Sequence, residues 1–351
     1  MSTEPSTRRR PTMADVARAA GVSLSTVDRV LNQRASVRAD TAKAIAEAAA
    51  ALGLHTGAVI AQRLVDHRPV VRLGFLLQES SEVFYSDLAR ALSIAAAQCA
   101  TAKVRVNISY LDDLDPHAVA QRIRALGAEV DGIGVVAPDH PEVRAAIAHL
   151  RKQQVPVLAL VSELGAGLDA GYVGVDNRRM GRTAGWFVSQ LAPAPGPVAV
   201  MLSSQRFQCQ ELCELSFISY LNEHSSDWEW LASRLTLEDE SFAYGNTLDL
   251  LSGHPDLAAL YVAGGGIKGV LRALAQLQAR QVPLPVVICH DLTPVTQAAL
   301  RDGRLQAVLS HPVAAMAERA VQLLAKAAGE PVHTGTQRAV LPLIVDVRET
   351  V

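Results

Sequence analysis

The stretch TMADVARAAGVSLSTVDRVLNQRASVRADTAKAIAEAAAALGL, residues 12–54, decides the fold of the first part of the chain. Thr12 and Ser23 each stand where a hydroxyl can cap the free amides of a helix, and Gly21 ends the first of the two helices. The second helix covers residues 24–31, and a third, over residues 38–52, carries alanine and aliphatic side chains on one face. Two short helices joined by a tight turn and closed by a third form a helix-turn-helix.

The second helix leaves short or forked side chains facing outward. If it enters the major groove of DNA, Leu24 and Ser25 reach base edges and Arg29 can bind a guanine through two hydrogen bonds. Thr26 and Asn32 then lie near phosphates. The alternative is a structural helix bundle whose polar face is merely solvated. Together with the two capping residues, the predicted DNA contacts of this segment are Thr12, Ser23, Leu24, Ser25, Thr26, Arg29 and Asn32.

The same run, followed by AVIAQRL at residues 58–64, resembles the DNA-binding headpiece and hinge of the LacI family of bacterial repressors. The resemblance implies that residues 11–56 form the DNA-binding domain and residues 57–69 a hinge helix and linker. It also implies that the hinge pairs with its dimer mate on operator DNA and that Leu64 inserts into the minor groove, where an apolar side chain can unstack a base step. The alternative is that Leu64 only packs within the hinge.

Several positions depart from that resemblance. Asp28 stands where the family usually has a serine near the DNA backbone, and its carboxylate would repel phosphate unless Arg29 or Arg18 neutralises it. Leu54 replaces the usual tyrosine at the end of the headpiece. Residues 1–10, which contain three consecutive arginines, are predicted to be a disordered basic arm. The operator sequence therefore does not follow from the family.

The charge of the chain separates a basic first part from an acidic remainder. Residues 1–68 carry ten Lys and Arg against six Asp and Glu, whereas the whole chain has a net charge of −2. A nucleic-acid module fused to a small-molecule module would show this asymmetry. Because no run approaches the roughly 18 apolar residues of a membrane helix and no secretory signal is visible, we expect a cytoplasmic protein without a membrane partner. Four cysteines without a CxxC pair indicate neither a disulfide framework nor a metal site.

From residue 70 onward, short apolar runs of strand length alternate with helical stretches. The predicted strands are Val71–Leu77, Val104–Tyr110, Gly132–Ala137, Val155–Val161, Tyr172–Val175, Val198–Leu202, Leu260–Ala263, Val286–Cys289 and Ala307–Leu309. The predicted helices are Asp87–Cys99, Pro116–Leu126, Pro141–Gln153, Arg178–Leu191, Glu211–Asn222, Ile267–Arg280 and Val313–Ala328. This alternation predicts parallel sheets covered by helices on both faces, and roughly 280 residues are too many for one such core. The predicted fold class is therefore an all-α helix-turn-helix headpiece followed by an α/β body of two lobes.

Bodies of the LacI family are similar to periplasmic sugar-binding proteins, which implies two Rossmann-like lobes joined by crossing strands with the effector in the cleft between them. By that resemblance, residues 70–351 form the effector-binding and dimerisation domain. The first lobe is expected at about residues 70–174 and 291–328, and the second at about residues 175–290 and 329–351.

Ligands of parallel sheets bind beyond the carboxyl ends of the strands, so the polar loops there are candidate effector contacts. Carboxylates and amides suit a polyhydroxylated ligand because each hydroxyl both donates and accepts, and an aromatic ring can lie on the face of a sugar. The candidates are Gln78, Phe84, Tyr85, Asp139, Glu163, Asp176, Asn177, Phe207, Glu211 and Asp291. Asp291 matches the cleft aspartate of the family, whereas Asp176 and Asn177 could instead cap the helix that follows them.

An arginine that commonly points into the cleft of the family is missing. In CELSF, residues 213–217, Cys213 stands in its place and Ser216 replaces the usual glycine. The charge of the ligand therefore does not follow from the family. Glu211 and Arg206 are the candidate replacements for this polar contact.

The run GGGIKG, residues 264–269, satisfies the pattern GxGxxG, follows a predicted strand and precedes Asp291 by 22 residues. Taken alone it would indicate a dinucleotide site. A true fingerprint usually opens its domain, however, and this run follows five or six βα units. We therefore expect a cleft loop whose glycines bring backbone amides near a ligand, and we expect no cofactor.

The sequence thus predicts a regulator and not an enzyme. The expected function is sequence-specific repression by a homodimer that binds a pseudo-palindromic operator in double-stranded DNA and a sugar or polyol effector. The chain ends at DVRETV without leucine heptads, which favours a dimer over a tetramer. The alternatives are an NAD-dependent oxidoreductase that uses the GGGIKG loop and a sugar-binding protein without a DNA function.

Overall fold

The computed structural model describes residues 11–32, 37, 39–53, 68–78, 83–111, 113–165, 170–328 and 337–351. The chain divides into two compact units: the first ends at Val70 and takes in Ala100–Lys103, and the second comprises Val71–Cys99 and Val104–Val351. The predicted basic arm, and the predicted hinge from residue 57 to residue 67 with Leu64, lie outside the described residues.

The first unit contains the helices α1 (Met13–Ala19), α2 (Leu24–Asn32) and α3 (Ala39–Ala51). At the start of α1, the Thr12 amide donates to the carboxylate of Asp15 at 2.8 Å, as in a capping box. Gly21, with a φ of 66° that glycine adopts without strain, turns the chain between α1 and α2. The helices share a core of buried side chains from Val16, Ala17, Val27, Ile45, Ala46 and Ala49. The predicted helix-turn-helix is confirmed.

The second unit alternates strands and helices along most of its length. Its strands are β1 (Val70–Gln78), β2 (Lys103–Leu111), β3 (Gly132–Val135), β4 (Val157–Leu160), β5 (Gly171–Val175), β6 (Pro197–Leu202), β7 (Glu229–Trp230), β8 (Arg234–Leu235), β9 (Ala259–Val262), β10 (Val286–His290), β11 (Ala307–Ser310), β12 (Arg338–Leu341) and β13 (Ile344–Asp346). Its helices are α4 (Val83–Gln98), α5 (Pro116–Gly127), α6 (Pro141–Lys152), α7 (Asn177–Leu191), α8 (Gln208–His224), α9 (Glu240–Gly253), α10 (Ile267–Ala279), α11 (Pro294–Arg301) and α12 (Val313–Ala327).

The first sheet has the strand order β12-β5-β4-β3-β1-β2. Neighbouring strands from β12 to β1 pair in parallel, with Leu73 of β1 opposite Gly132 of β3. Helices α5 and α6 pack on each other, and so do α4 and α12. The α5 and α6 side buries Ile123 and Ile147 against Ile133 of the sheet. This sheet with its helices forms lobe 1.

The second sheet has the strand order β13-β11-β10-β9-β6-β7, and β8 also pairs with β6. Its strands pair in parallel, except that β13 runs antiparallel to β11. Helix α7 packs on α8, and α9 packs on α10. The rings of Phe217 and Tyr261 lie 4.9 Å apart in the core on the α7 and α8 side. This sheet with its helices forms lobe 2, so the predicted α/β body of two parallel sheets is confirmed.

The two lobes divide the chain differently from the predicted boundaries. Residues 291–310 belong to lobe 2, because β11 pairs in parallel with β10 and places Ala307 opposite Ile288. Residues 338–341 belong to lobe 1, because β12 pairs with β5 and places Arg338 opposite Tyr172. The chain therefore passes between the sheets after β5, after β11 and after β12.

Candidate functional site

Helix α2 exposes a row of side chains in the first unit. Leu24 is 51% exposed, and Ser25, Arg29 and Asn32 are exposed as well, whereas Val27 on the opposite side is fully buried. Arg29 extends along the helix, with its Nη2 atom 3.5 Å from the Ser25 hydroxyl. The side chains predicted to reach base edges therefore remain available on the surface of this unit.

The hydroxyl groups among the predicted DNA contacts lie at helix starts. Ser23 Oγ accepts the amide of Thr26 at 3.2 Å and lies 2.8 Å from the Thr26 hydroxyl. The Thr12 hydroxyl donates to Asp15 at 2.7 Å. These contacts stabilise the first turns of α1 and α2.

The acidic residue of α2, Asp28, accepts a hydrogen bond from Nδ2 of Asn32 at 2.6 Å. Arg18, one of the two arginines considered as a neutralising partner of Asp28, lies 3.6 Å from Asp15. The Asn32 amide therefore binds a carboxylate one turn earlier in the helix. A phosphate near this end of α2 would compete with Asp28 for the same amide.

A cleft in the second unit lies beyond the carboxyl ends of strands from both lobes. Lobe 1 contributes the segments after β1, β3 and β4, and lobe 2 contributes those after β6, β9, β10 and β11. The residues that were predicted from the sequence and that line this cleft are Gln78, Phe84, Tyr85, Asn177, Phe207 and Asp291.

The other predicted effector contacts do not line this cleft. Three of them bind an arginine or backbone amides, and the fourth is exposed to solvent. Asp139 binds Nε of Arg144 at 2.6 Å, and that bond holds the pKa of the carboxyl below its usual value. Glu163 binds Arg338 at 2.6 Å. Asp176 caps α7 by accepting the amides of residues 178 and 179, which is the capping alternative considered for it. Glu211 is exposed on α8.

Asp291 and His311 form a pair at the lobe 2 side of the cleft. The Asp291 carboxylate accepts the backbone amide of His311 at 2.9 Å and lies 2.9 Å from its Nδ1 atom. Burial alone would raise the pKa of Asp291, but the charge and hydrogen bonds of His311 outweigh it, so the pKa lies below its usual value. The His311 side chain is thereby fixed in position, with one ring nitrogen committed to Asp291.

His290 lies beside this pair and binds a different partner. Its Nε2 atom is 2.6 Å from the hydroxyl of Tyr261. Burial lowers the pKa of His290 to about 4, and burial raises the pKa of Tyr261 well above its usual value. At neutral pH the imidazole is therefore uncharged and the tyrosine hydroxyl keeps its proton, so a neutral hydrogen bond joins the two groups.

Cys213 lies in the floor of the cleft, where the resemblance led us to expect an arginine. The thiol is buried and donates to the backbone oxygen of Asn177 at 3.3 Å. Burial raises the pKa of this thiol, so it stays protonated. Nearby, Gln210 accepts the amide of Ser203 at 2.8 Å through its side-chain oxygen, so α8 is fixed against the end of β6.

Close packing accounts for the glycines of the GGGIKG loop. A Cβ atom on Gly264 would lie 2.5 Å from the amide nitrogen of Ser203, and one on Gly269 would lie 2.1 Å from the backbone oxygen of Glu240. Gly266 has a φ of 82° and precedes the first residue of α10. Gly264 and Gly265 also line the cleft, as expected for a loop that approaches a ligand.

Bonds between loops of the two lobes cross the edge of the cleft. Nη1 of Arg206 donates to the backbone oxygen of Leu114 at 3.0 Å, and the backbone oxygen of Arg206 accepts the amide of Asp139 at 3.1 Å. The amide of Cys209 donates to the Ser162 hydroxyl at 3.2 Å. Arg206 was considered as a ligand contact, and the structure places it in this contact between lobes.

Several cleft residues were not among the effector contacts predicted from the sequence. They are Ser162, Cys209, Gln210, Glu238, His290, Thr293 and His311, among others. His311 follows the predicted strand Ala307–Leu309 by two residues, so the rule that selected the other loops would have selected it too. Within the described ranges, no group of three or more His, Cys, Asp or Glu side chains is arranged to hold a metal ion. No helix in the same ranges is both long and apolar enough to cross a membrane.

Two family models match the chain. The model described as periplasmic binding protein domain matches residues 73–331, which is most of the second unit. The model described as bacterial regulatory proteins, lacI family, matches residues 12–56. The matches therefore cover both the helix-turn-helix and the body that contains the cleft.

Curated relatives match over different lengths. The HTH-type transcriptional regulator GalS of Salmonella typhimurium is 24% identical over 352 aligned residues, which cover 95% of each chain. Catabolite control protein A of Priestia megaterium is 32% identical over 155 residues, which span 43% of each chain. The chain thus spans less than half the length of the second relative and nearly all of the first.

Solved structures resemble the body. An ABC transporter periplasmic solute binding protein of Actinobacillus succinogenes with bound D-allose has a TM-score of 0.71 and 16% identity, covering 81% of this chain and 99% of that chain. An ABC transporter solute binding protein of Bacillus halodurans with bound myo-inositol has a TM-score of 0.69 and 17% identity, covering 80% of this chain and 95% of that chain. At these identities the likeness shows the fold alone.

Proposed function

Because the chain belongs to the LacI family of bacterial regulatory proteins, we propose that it is a sequence-specific repressor of transcription whose affinity for operator DNA is controlled by a small polar effector. The observation that carries this proposal is the combination, in one chain, of a helix-turn-helix with exposed side chains on α2 and a body of two parallel sheets with a polar cleft. A relative aligned over 95% of both chains is named a transcriptional regulator.

In the proposed complex, α2 enters the major groove of the operator. The exposure of Leu24, Ser25 and Arg29 supports their contact with base edges, and the forked guanidinium of Arg29 suits a guanine. Thr26 and Asn32 then lie near phosphates, and Thr12 and Ser23 complete the set of DNA contacts. Leu64 enters the minor groove as an apolar wedge.

The effector in this proposal is a sugar or polyol bound in the cleft. Its contacts are Gln78, Phe84, Tyr85, Asn177, Phe207 and Asp291. Amide and carboxylate groups can pair with hydroxyls, and the aromatic rings offer flat apolar surfaces to a sugar ring. The ligands named for two proteins of similar fold, D-allose and myo-inositol, belong to this chemical class.

Effector and operator are coupled through the angle between the lobes. Residues of both lobes line the cleft, and three passages of the chain join the sheets, so a ligand that bridges the lobes favours one angle. In a homodimer, this angle sets how the two hinges pair on DNA. A coupling free energy of about 1–3 kcal/mol is typical of such linkage. Two copies related by a twofold axis require a pseudo-palindromic operator.

The two alternative functions are weaker. For an NAD-dependent oxidoreductase, the GGGIKG loop was the motivating feature, and strand and helix packing accounts for Gly264 and Gly269. A sugar-binding protein without a DNA function would share the body, but it would give no role to the exposed face of α2. Absorbance of a retained nicotinamide or saturable binding of NAD by the full chain would favour the oxidoreductase.

The decisive experiment is selection of genomic DNA fragments by the full chain, followed by footprinting of the selected fragments. We expect a protected pseudo-palindrome whose protection changes when a sugar or polyol is added. A thermal-shift screen of sugars, polyols and nucleosides identifies that compound, because a ligand selective for the native state raises the unfolding temperature. Salt-sensitive binding without a protected sequence would refute the proposal.

A further inference from the structure

His311 has a hydrogen-bonding position that the protein itself leaves open. The residue is only 7% exposed, and within the described part of the chain its Nε2 atom is the one buried side-chain nitrogen or oxygen without a hydrogen-bond partner. Buried polar atoms in native proteins are nearly always paired, so such an atom in the wall of a cleft indicates a partner that comes from outside. The ring faces the cleft beside Phe84, with the two ring centroids 5.4 Å apart.

Asp291 determines which ring nitrogen His311 presents. The carboxylate lies 2.9 Å from Nδ1 and also accepts the His311 backbone amide at 2.9 Å, so the Nδ1 proton is directed to Asp291. Nε2 is on the other side of the ring. It accepts a hydrogen bond when the imidazole is neutral and donates one when it is protonated. A hydroxyl can do either, so it is the group that pairs with Nε2 in both states.

The charged groups of the cleft narrow the class of ligand further. The described lining contains the carboxylates of Asp291 and Glu238, and it contains neither lysine nor arginine. His290, whose ring centroid is 6.4 Å from that of His311, is uncharged at neutral pH. Cys213 adds a buried neutral thiol. An anionic ligand would lose its hydration here beside two carboxylates, and a positive charge on His311 would already be paired with Asp291 at 2.9 Å, so binding an anion is costly.

We propose that His311, positioned by Asp291, is a ligand-binding residue whose Nε2 atom shares a hydrogen bond with a hydroxyl of an uncharged sugar or polyol, and that the cleft rejects sugar acids and sugar phosphates. This inference rests on the proposed function. To that function it adds one contact residue, His311, and the charge class of the effector. The hydroxyl at Nε2 also explains why a buried imidazole is kept at this position.

The first test compares neutral and acidic compounds on the full chain. Thermal shift followed by titration calorimetry is carried out with D-allose, D-galactose, myo-inositol and a panel of other neutral aldoses and alditols. D-galacturonate, D-glucuronate and hexose phosphates form the acidic series. We expect saturable binding within the neutral series and none within the acidic series. Tighter binding of an acid, or no binding in either series, overturns the inference.

The second test changes the ring of His311. In His311→Asn, an amide remains near Asp291 but no atom stands in the place of Nε2, whereas the longer side chain of His311→Gln can reach that place. We expect His311→Asn to weaken the best neutral compound by about tenfold or more, and His311→Gln by only about threefold. His149→Asn, the same replacement at an exposed position of α6, serves as the control and leaves the affinity unchanged.

Unfolding temperatures show whether the variants are folded. A folded His311→Asn protein with the affinity of the unaltered chain overturns the inference. If His311→Asn does not fold, the test relies on His311→Gln. An amide donates and accepts hydrogen bonds at fixed atoms, so we expect this variant to change the ranking of affinities for stereoisomeric sugars. An unchanged ranking overturns the inference.

Footprinting distinguishes a failure of this inference from a failure of the proposed function. Absence of a protected operator in the unaltered chain refutes the proposed function, whereas normal protection with no effect of His311→Asn on the affinity for the compound refutes this inference alone.

Discussion

Arg29 offers the sharpest test at the scale of single residues. Its guanidinium is exposed on α2, and a bidentate contact to guanine contributes about 1–3 kcal/mol of discrimination. We expect Arg29→Ala to lose about that much affinity for the operator and little affinity for unrelated DNA, as measured by titration at fixed salt. Arg29→Lys is the matched control, because it keeps the charge but not the fork. Equal losses of affinity for the operator and for unrelated DNA would mean that Arg29 does not contact a base.

Asp291 is held in an unusual backbone conformation as well as in a hydrogen-bonded pair. Its φ is 60°, a region that Asp and Asn tolerate better than other residues with a side chain. We expect Asp291→Ala to abolish the response of operator binding to the effector while DNA affinity persists, as measured by footprint titration with and without the compound. Asp291→Asn controls for the backbone, since alanine adds roughly 1–2 kcal/mol of strain there. A response retained in Asp291→Ala would contradict the assignment.

Sequence reasoning at this scale found candidates by their place after a strand, but it did not see their partners. Asp139 and Glu163 follow predicted strands, yet each is bound to an arginine. The partner of Glu163, Arg338, is 175 residues away along the chain, and such a pair has no signature in the local sequence. The Asp291 and His311 pair is likewise made between two different strand ends, so only the fold brings it together.

At the scale of elements, the packing of α9 on α10 gives a prediction that bears on the GGGIKG loop. A Cβ on Gly269 would lie 2.1 Å from the backbone oxygen of Glu240, so we expect Gly269→Ala to lower the free energy of unfolding by about 1–3 kcal/mol. Gly245→Ala is the matched control, because a methyl group on Gly245 of α9 would extend into open space, and alanine there should stabilise by roughly 0.5–1 kcal/mol. Denaturant unfolding of the full chain measures both. A Gly269→Ala protein of unchanged stability would contradict the packing explanation.

Elements were predictable where the sequence pattern was strong. Buried parallel strands such as β1, β9 and β10 are continuous apolar runs, and the sequence locates them within one or two residues. Helix α9 was missed because ESFAYGNTLDLLSG contains two glycines and no regular apolar spacing, and it is held by packing on α10. Helix α11 was also missed, because it is short and begins at a threonine cap inside a loop between two predicted strands.

At the scale of the whole body, Arg206 connects the lobes. Its hydrogen bond to the backbone oxygen of Leu114 exists only when the loops of both lobes meet, and such a bond contributes about 0.5–1.5 kcal/mol. We therefore expect Arg206→Ala to weaken effector binding by roughly two- to tenfold, as measured by calorimetry, with unchanged DNA affinity in the absence of effector. Arg280→Ala, an exposed position after α10, is the control. Unchanged effector affinity in Arg206→Ala would mean that this bond does not stabilise the arrangement of the two lobes that binds the effector.

The lobe boundaries could not be predicted from the sequence, because they depend on which strands pair. Both β11 and β12 are short, and their partners β10 and β5 are chosen by the fold and not by neighbouring residues. The number of sheets followed from the length and the βα pattern, whereas the three passages between them did not.

The placement of β12 and β13 at the outer edges of different sheets has a consequence for biosynthesis. The helix-turn-helix leaves the ribosome early and can fold on its own core as soon as residue 53 has emerged. Neither lobe of the body receives its last edge strand until residues 338–346 have been translated. Nascent chains that stall in this interval would display a complete helix-turn-helix on an incomplete body.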